Sequence, residues 1–161
     1  VPRLAGKTDV VPNHPNLTWF DPSTEGEYWG QCAEYCGTQH ANMRIRVVVE
    51  SREAFEEWVR LQQAPAVEDE SVRRGRELFL SLACVSCHTV AGTEANGTFG
   101  PDPTHLMSRA RIGAGVAANT PENLKSWVRD PQVLKPGCNM PAMKLSDEEV
   151  DLVVEYLLTL Q

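Results

Sequence analysis

The stretch Cys84-Val85-Ser86-Cys87-His88 decides the fold of the second half of this chain. Two thiols lie three residues apart, and an imidazole follows the second thiol directly. This C-x-x-C-H pattern is typical of covalent haem attachment, in which the sulfurs bond the two vinyl groups on one edge of the porphyrin and the His binds the iron. The pattern therefore predicts a covalent haem c held by Cys84, Cys87 and His88.

Two other chemistries also use close cysteine pairs. A redox dithiol is expected near a βαβ pattern, which the second half lacks. A zinc site needs a second pair of ligands, and residues 71–161 offer none. Haem therefore fits the stretch better than a dithiol or a zinc ion.

An iron that only transfers electrons needs a second axial ligand, and Met is a common one that raises the reduction potential. Met140 lies in an irregular segment that contains Pro and Gly, far enough downstream to reach the opposite face of the haem. Met143 lies nearer the last helix and is the second choice, and Met107 in a loop is the third. We predict Met140 as the axial ligand, and no residue of the chain is predicted to be catalytic.

Helical signals surround this motif. Gly75 lies inside the first predicted helix, where it costs stability relative to Ala, so a close helix–helix approach is expected there. Residues 91–119 are rich in Gly, Thr, Asn and Pro and are predicted to form a long loop. The first helix is predicted to run from the cap Ser71 to about Ala83. The next runs from Pro121, after the cap Thr120, to the Asp130-Pro131 break, and the last begins at the capping box Ser146–Glu149.

Residues 71–161 as a set resemble the class I cytochrome c domain, an all-α fold. The resemblance rests on the C-x-x-C-H motif after a first helix, on the PGCNM segment at 136–140 and on Tyr156 in the last helix. It implies that Gly75 and Phe79 cross the last helix near Tyr156.

The same resemblance implies roles for further residues. The loop at 100–101 is implied to position His88. His105 and Arg109 are implied to reach a haem propionate by charge or hydrogen bond, and Trp127 to donate its N–H to one. The alternatives are solvated loop positions for His105 and Arg109, and a core position for Trp127.

A second cluster, CAEYCGTQHANM, covers residues 32–43. It offers two thiols, an imidazole and a thioether, from Cys32, Cys36, His40 and Met43. Soft sulfur beside imidazole suits copper or zinc, and the thioether favours copper because structural zinc sites do not use Met. The residues alone leave three possibilities open: one copper with one Cys, two coppers bridged by both sulfurs, or two buried, inert cysteines.

Around this cluster the pattern is mostly β. Alternating apolar residues predict strands at 17–20, 27–31 and 44–50, and Ser51 is predicted to cap a helix. Residues 62–70, QQAPAVEDE, lack periodicity and carry an acidic run, so they are predicted to be a linker. The predicted domains are therefore residues 1–61 and 71–161, joined by the linker 62–70.

Residues 1–60 resemble the copper domain of cytochrome oxidase subunit II, which carries a binuclear copper site (CuA). Matching residues also lie at Val1-Pro2, Trp19-Phe20 and Gly30-Gln31. The resemblance implies a partial all-β, cupredoxin-like sandwich in residues 1–61. The implied ligands are bridging thiolates from Cys32 and Cys36, His40 on one copper, Met43 as a weak ligand, and the backbone carbonyl of Glu34, whose carboxylate faces a magnesium ion at the catalytic subunit.

The family's copper site needs a second His, from a strand that precedes the residue matched by Val1. His14 lies in a Pro/Asn turn that matches a loop of the family, so it is not assigned as a ligand. Because the chain does not begin with Met, we expect it to be a piece of a longer protein. We expect this piece to hold an incomplete copper site, with the second His and membrane-anchoring helices upstream.

Both halves together resemble subunit II of the cytochrome oxidases that carry a fused cytochrome c. The resemblance implies that haem c takes an electron from a donor, either cytochrome c or an upstream reductase complex, and passes it to CuA. The electron then reaches catalytic subunit I, which reduces oxygen to water and pumps protons, and these domains lie on the outer face of the bacterial plasma membrane. The residues leave open a CuA-containing nitric or nitrous oxide reductase subunit, a free-standing cytochrome c electron carrier and a haem-based gas sensor.

Composition and charge narrow the classes of protein to which the chain can belong. The chain of 161 residues has 15 basic and 22 acidic residues and a formal charge of −7, which disfavours nucleic acid as a partner. No stretch approaches the roughly 18–20 apolar residues that cross a bilayer. Five cysteines, an odd number, argue against a closed disulfide framework. Cys138, the unpaired one, is expected to be a small buried filler near the haem.

Overall fold

The computed structural model describes residues 1–67 and 69–161, so residue 68 of the predicted linker lies outside the described residues. The first half contains strands β1 (Gly26–Gln31) and β2 (Arg44–Val49) and helix α1 (Arg52–Gln62). The second half contains helices α2 (Arg73–Ser81), α3 (Cys84–Cys87), α4 (Pro121–Arg129), α5 (Pro131–Leu134) and α6 (Asp147–Leu157), and strands β3 (Arg111–Ile112) and β4 (Ala117–Ala118). Short 3₁₀ turns cover His40–Asn42, Glu70–Val72 and Leu106–Ser108.

The first half is built on one β-hairpin. Strands β1 and β2 pair antiparallel, from Gly26 opposite Val49 to Gln31 opposite Arg44. Tyr28 on β1 is buried, whereas the next residue points to the other face of the sheet and is partly exposed. The strands described within residues 1–67 form this single two-stranded sheet, which is narrower than a complete two-sheet sandwich.

The strand predicted at residues 17–20 is wrong. This segment is irregular, and Leu17 and Trp19 are 91% and 86% exposed. Its residues alternate as in a strand, but a strand also needs a hydrogen-bonded neighbour. None of the described residues pairs with this segment.

Three of the four predicted helix caps are confirmed. The side chains of Ser51 and Thr120 accept the capping hydrogen bonds of α1 and α4, and Ser146 forms a complete capping box at the start of α6. The cap predicted at Ser71 is wrong, because its own N–H donates to the side chain of Asp69 at 2.9 Å. The carboxylate is the stronger acceptor and begins a 3₁₀ turn ahead of α2.

The core of the second half lies where α2 crosses α6. An added Cβ at Gly75 would collide with the backbone carbonyl of Leu152, so the expected close helix approach is confirmed. One turn further on, the rings of Phe79 and Tyr156 meet with centroids 5.5 Å apart, as the resemblance implied. Buried residues of α4 and α6 complete this core: Leu124, Val128, Val150, Val153 and Leu157.

The predicted long loop at 91–119 contains a small hairpin. Strands β3 and β4 pair Arg111 with Ala118, and the turn between them holds three consecutive residues at positive φ, at positions 113–115. An added Cβ at Gly113 would lie 2.7 Å from the ring of Trp127, so glycine also allows a close approach there. The second half is therefore mostly, but not entirely, helical.

The helices are short. Helices α1 and α6 have 11 residues each, which corresponds to about 16 Å at 1.5 Å per residue. Of the helices formed by the described residues, none has both the length and the apolar composition to cross a bilayer.

Candidate haem and copper sites

The C-x-x-C-H motif forms one helical turn directly after α2. The chain leaves the helical conformation at Leu82. Cys84 and Cys87 are then the first and last residues of the single-turn helix α3. The backbone N–H of His88 donates to the carbonyl of Cys84 at 2.9 Å and closes the turn. Burial raises the pKa of the Cys84 thiol, because the partly buried site disfavours the thiolate.

The ring of His88 is fixed by a backbone carbonyl. Its Nδ1 lies 2.6 Å from the oxygen of Pro101. A carbonyl only accepts, so Nδ1 carries the proton and Nε2 keeps a lone pair for a metal. An added Cβ at Gly100 would lie 2.5 Å from Cε1 of His88. The loop at 100–101 therefore fits against the imidazole as the resemblance implied.

A large cavity opens beside the motif. Its volume is about 1050 Å³, and it is lined by Cys84, Cys87, His88 and both candidate axial ligands, Met140 and Met143. Apolar side chains from α2, α4 and α6 cover much of its wall, and the charged residues that line it are four arginines and one glutamate. This combination fits haem, which is a flat apolar macrocycle with two carboxylates.

Met107 lies elsewhere. It packs against the hydrophobic core, and its backbone N–H donates to the carbonyl of Leu160 at 2.8 Å. Of the three methionines considered as axial ligands, two therefore line the cavity.

The segment before Met140 is held by Gln132, on α5. The amide nitrogen of Gln132 lies 3.0 Å from the carbonyl of Cys138 and 3.2 Å from that of Met140. Its amide oxygen accepts from the N–H of Gly137 at 2.7 Å. The Cys138 thiol is partly buried and lies 3.2 Å from the same amide nitrogen. One side chain thus fixes the whole 137–140 segment.

The three residues considered for the propionates lie in different places. Arg109 and Trp127 line the cavity. His105 is buried, and its two ring nitrogens lie 2.7 Å from the carbonyl of Gln161 and 3.0 Å from that of Ala64. The role suggested for His105 is therefore wrong, because both ring nitrogens face backbone carbonyls. Burial lowers the pKa of Arg109, and the charge of the nearby Asp102 partly opposes this.

The second cluster lies in the loop between β1 and β2. The N–H of Cys32 donates to the carbonyl of Met43 at 2.9 Å, so the hairpin pins both ends of the loop. The sulfurs of Cys32 and Cys36 are 3.5 Å apart. The sulfur of Cys36 also lies 3.7 Å from Nδ1 of His40 and 3.8 Å from the sulfur of Met43. The Glu34 carbonyl completes the group, 3.0 Å from the sulfur of Cys32.

This donor set fits copper. Two thiols, an imidazole, a thioether and a carbonyl converge, and the ligand atoms of Cys32, Cys36 and His40 all lie within 4.8 Å of one another. A hydrogen bond with Cys32 raises the pKa of the Cys36 thiol. Neither cysteine is buried, so the two are not inert core residues.

Two neighbours of the cluster point away from it. The carboxylate of Glu34 pairs with Lys7 on the surface. His14 lies in a separate turn, where its N–H donates to the carbonyl of Val11 at 3.1 Å. Within the described residues, His40 is the histidine of the metal-ligand group.

The two sites touch through their loops. The side-chain amide of Gln39 donates to the carbonyl of Pro136. A Cβ built on Gly137 would lie 3.4 Å from Cβ of Thr38, which is ordinary van der Waals contact. The copper-ligand loop and the segment that leads to Met140 are therefore in direct contact.

Two family models match the chain. The one described as Cytochrome c matches residues 72–161, which is more than half of the chain. The chain belongs to the cytochrome c family. The model described as Cytochrome C oxidase subunit II, periplasmic domain, matches residues 1–51. The resemblance predicted for each half is therefore confirmed.

Three similar proteins are each named cytochrome c oxidase subunit 2. That of Alkalihalophilus pseudofirmus is 37% identical over 164 residues, which cover 100% of this chain and 47% of the relative. That of Bacillus sp. strain PS3 is 33% identical over 175 residues and covers 100% of this chain and 49% of the relative. That of Bacillus subtilis strain 168 is 32% identical over 170 residues and covers 98% of this chain and 48% of the relative. The chain spans about half the length of the curated relatives it matches.

Three residues of the haem and copper sites, Gln132, Gln39 and Arg44, carry no signal in the sequence around them. Gln132 gives no sequence signal, because a Gln at a helix start is common. Gln39 lies among the copper-type ligands, but the residue it contacts, Pro136, is 97 positions further along the chain. Arg44 begins a predicted strand, and nothing in that pattern indicates that it lines the cavity.

Proposed function

We propose that the chain is an electron-transfer subunit of a haem–copper respiratory oxidase. It takes electrons from a donor, cytochrome c or an upstream reductase complex, and delivers them to catalytic subunit I, which reduces oxygen to water. The match to both a cytochrome c and a subunit II model supports this, as do relatives named cytochrome c oxidase subunit 2. When bound, haem c and a copper pair supply reversible one-electron chemistry.

Cys84, Cys87, His88 through Nε2 and Met140 would hold the haem, with Met143 as the second choice for Met140. The protein's contribution is rigidity. Pro101 fixes the tautomer of His88, and Gln132 fixes the backbone of the 137–140 segment. Fixed ligands change little when the iron changes charge, which favours electron transfer over ligand exchange.

The copper ligands are the thiolates of Cys32 and Cys36, the imidazole of His40, the thioether of Met43 and the carbonyl of Glu34. Their convergence in a short loop pinned by a hairpin supports a preformed site. The sulfurs of Cys32 and Cys36, 3.5 Å apart, would both hold the copper pair, which would supply reversible one-electron chemistry. The Glu34 carboxylate, now paired with Lys7, is the group available to a magnesium ion at the subunit interface.

The proposed architecture has a partial cupredoxin-like domain at residues 1–61, a linker at 62–70 and a class I cytochrome c domain at 71–161. Both domains lie on the outer face of the plasma membrane. The description of the matched subunit II model as a periplasmic domain supports this side of the membrane.

The contact between the two ligand loops carries the proposal. Gln39, next to the copper ligand His40, donates to Pro136, four residues before Met140. No second protein has to fit between the two centres, because residues 38–39 already touch residues 136–137. This arrangement suits two carriers in series within one chain.

The test uses the assembled oxidase with its donor and follows oxygen uptake and haem c absorbance together. In His40→Ala, the donor should reduce haem c at the normal rate, but the haem should stay reduced and oxygen uptake should be lost. His14→Ala, which removes an exposed imidazole from the same half, is the matched control. Oxygen uptake that persists in His40→Ala would overturn the proposal.

A further inference from the structure

The haem cavity does not belong to the second half alone. Its wall includes Trp29 from β1, Arg44, Arg46 and Val48 from β2, and Phe55 from α1. The contact is tight at the β3–β4 turn. A Cβ built on Gly115 would lie 3.2 Å from the ring of Trp29 and 3.7 Å from Cβ of Arg44. Residues 1–61 (the copper half) therefore close one side of the cavity of residues 71–161 (the haem half).

Two arginines, Arg44 and Arg111, lie at this boundary. The guanidinium of Arg111, on β3, lies over the ring of Trp29, 5.9 Å from its centroid, and its Nε donates to the carbonyl of Gly115 at 2.9 Å. Arg44, on β2, reaches the same turn, where its Cβ lies 3.7 Å from a Cβ built on Gly115. Among the described residues, neither guanidinium has a salt bridge to a carboxylate. Both line the cavity.

The local acids do not neutralise this group. Arg46 is paired with Glu27 at 2.6 Å, which lowers the pKa of that carboxyl, and Arg111 adds a smaller effect. The one acidic residue that lines the cavity is Glu50. Asp102 lies near Arg109, the fourth cavity-lining arginine. Arg44 and Arg111 are therefore the two cavity-lining arginines that have no carboxylate partner among the described residues. The two propionates of a haem carry the matching charge.

We propose that Arg44 and Arg111 together bind the carboxylates of the haem across the boundary between the two halves, with Trp29 packed beside them. Arg44 is then a positioning residue supplied by the copper half to the cofactor of the haem half. Guanidinium groups suit this task because they bind carboxylates through two parallel hydrogen bonds. The inference deepens the proposed function and rests on haem being the occupant of this cavity.

This assignment has a structural consequence. A haem bound covalently through Cys84 and Cys87, and by charge through Arg44, links the two halves of the chain. The cofactor itself then helps to hold the copper-ligand loop against the 136–137 segment, at the contact made by Gln39.

The experiment measures the midpoint potential of haem c by spectroelectrochemistry in the copper-free, full-length protein, with Arg44 changed to Lys, Gln or Glu. Loss of a positive charge beside the propionates stabilises the oxidised haem, so the potential should fall in the order Lys, Gln, Glu. Arg44→Gln should raise the ratio of oxidised to reduced haem, at a fixed applied potential, by about threefold to tenfold, where tenfold corresponds to about 59 mV. Arg111→Gln should lower the potential in the same way.

Arg52→Gln is the matched control. It removes one arginine charge from α1, where the side chain is 85% exposed and paired with Glu56. The assignment would be overturned if the midpoint potentials of Arg44→Gln and Arg111→Gln matched that of Arg52→Gln. It would also be overturned if the potential of Arg44→Lys were as low as that of Arg44→Gln, because the side chain would then act through packing and not through its charge. The measurement needs neither copper nor oxygen. The assignment of Arg44 and Arg111 can therefore fail while the proposed electron-transfer function holds, and the proposed function can fail while the assignment holds.

Discussion

Replacing Gln132 by Leu should release the segment that holds Met140. The Leu side chain has a similar size but neither donates nor accepts. The two shortest of its backbone hydrogen bonds to the segment are lost, one from the N–H of Gly137 at 2.7 Å and one to the carbonyl of Cys138 at 3.0 Å. Each is worth about 0.5–1.5 kcal/mol net, so the ordered segment loses roughly 1–3 kcal/mol relative to released conformations.

A loss of this size changes the population of released segment by about 5-fold to 150-fold. Carbon monoxide reports on that population, because it binds reduced haem only where the sixth position opens. We expect apparent carbon monoxide affinity, measured from the shift of the haem absorption band, to rise by the same factor in Gln132→Leu. Met140→Ala sets the upper limit of the response.

Val133→Ala is the control, since Val133 is the next residue of α5 and its side chain is 69% exposed. It should bind carbon monoxide no better than the unaltered protein. If Gln132→Leu behaves like Val133→Ala, while Met140→Ala binds carbon monoxide readily, Gln132 does not hold the axial segment and the reasoning fails.

Three further predictions concern the haem ligands and the last helix. Met143→Ala should leave the haem closed to carbon monoxide, whereas Met140→Ala should open it; the opposite result would make Met143 the axial ligand. Gly100→Ala adds a Cβ about 2.5 Å from the ring of His88, so thermal unfolding of the holoprotein should show a loss of roughly 1–3 kcal/mol; an unchanged melting temperature would contradict the close fit. Glu149→Gln should lower the melting temperature at neutral pH, because the capping hydrogen bonds of α6 hold the pKa of this carboxyl below its usual value. The difference from the unaltered protein should shrink as the pH falls through the lowered pKa, because the folded carboxyl then takes up its proton as well. A difference that is constant with pH would contradict the prediction.

Local patterns predicted the parts of the molecule whose partners are close in sequence. Ser51, Thr120 and Ser146 cap helices through contacts three residues away. The copper-type ligands lie within 12 positions, so a hairpin loop can bring them together without help from the rest of the chain. The same holds for Cys84 and His88, which share one helical turn.

Features that depend on distant partners could not be predicted from such patterns. The alternating segment at 17–20 has the residues of a strand but no neighbouring strand among the described residues. Gln39 and Pro136 are 97 positions apart, and nothing in either local sequence indicates the other. Arg44 alternates outward on β2 like any solvated charge, and only the packing of the β3–β4 turn against Trp29 brings it to the cavity. His105 was assigned by its type, but the carbonyls around it decided its contacts.

The most direct test of the relay is the rate of electron transfer from haem c to copper within one molecule. A light-driven donor reduces haem c rapidly in the full-length protein, and the haem absorbance is then followed in copper-loaded and copper-free samples. The haem should be reoxidised only when copper is bound, with a rate constant that does not change with protein concentration. Reoxidation that is equally fast without copper, or that scales with protein concentration, would contradict an internal relay between the cluster at Cys32–Met43 and the haem at Cys84–His88.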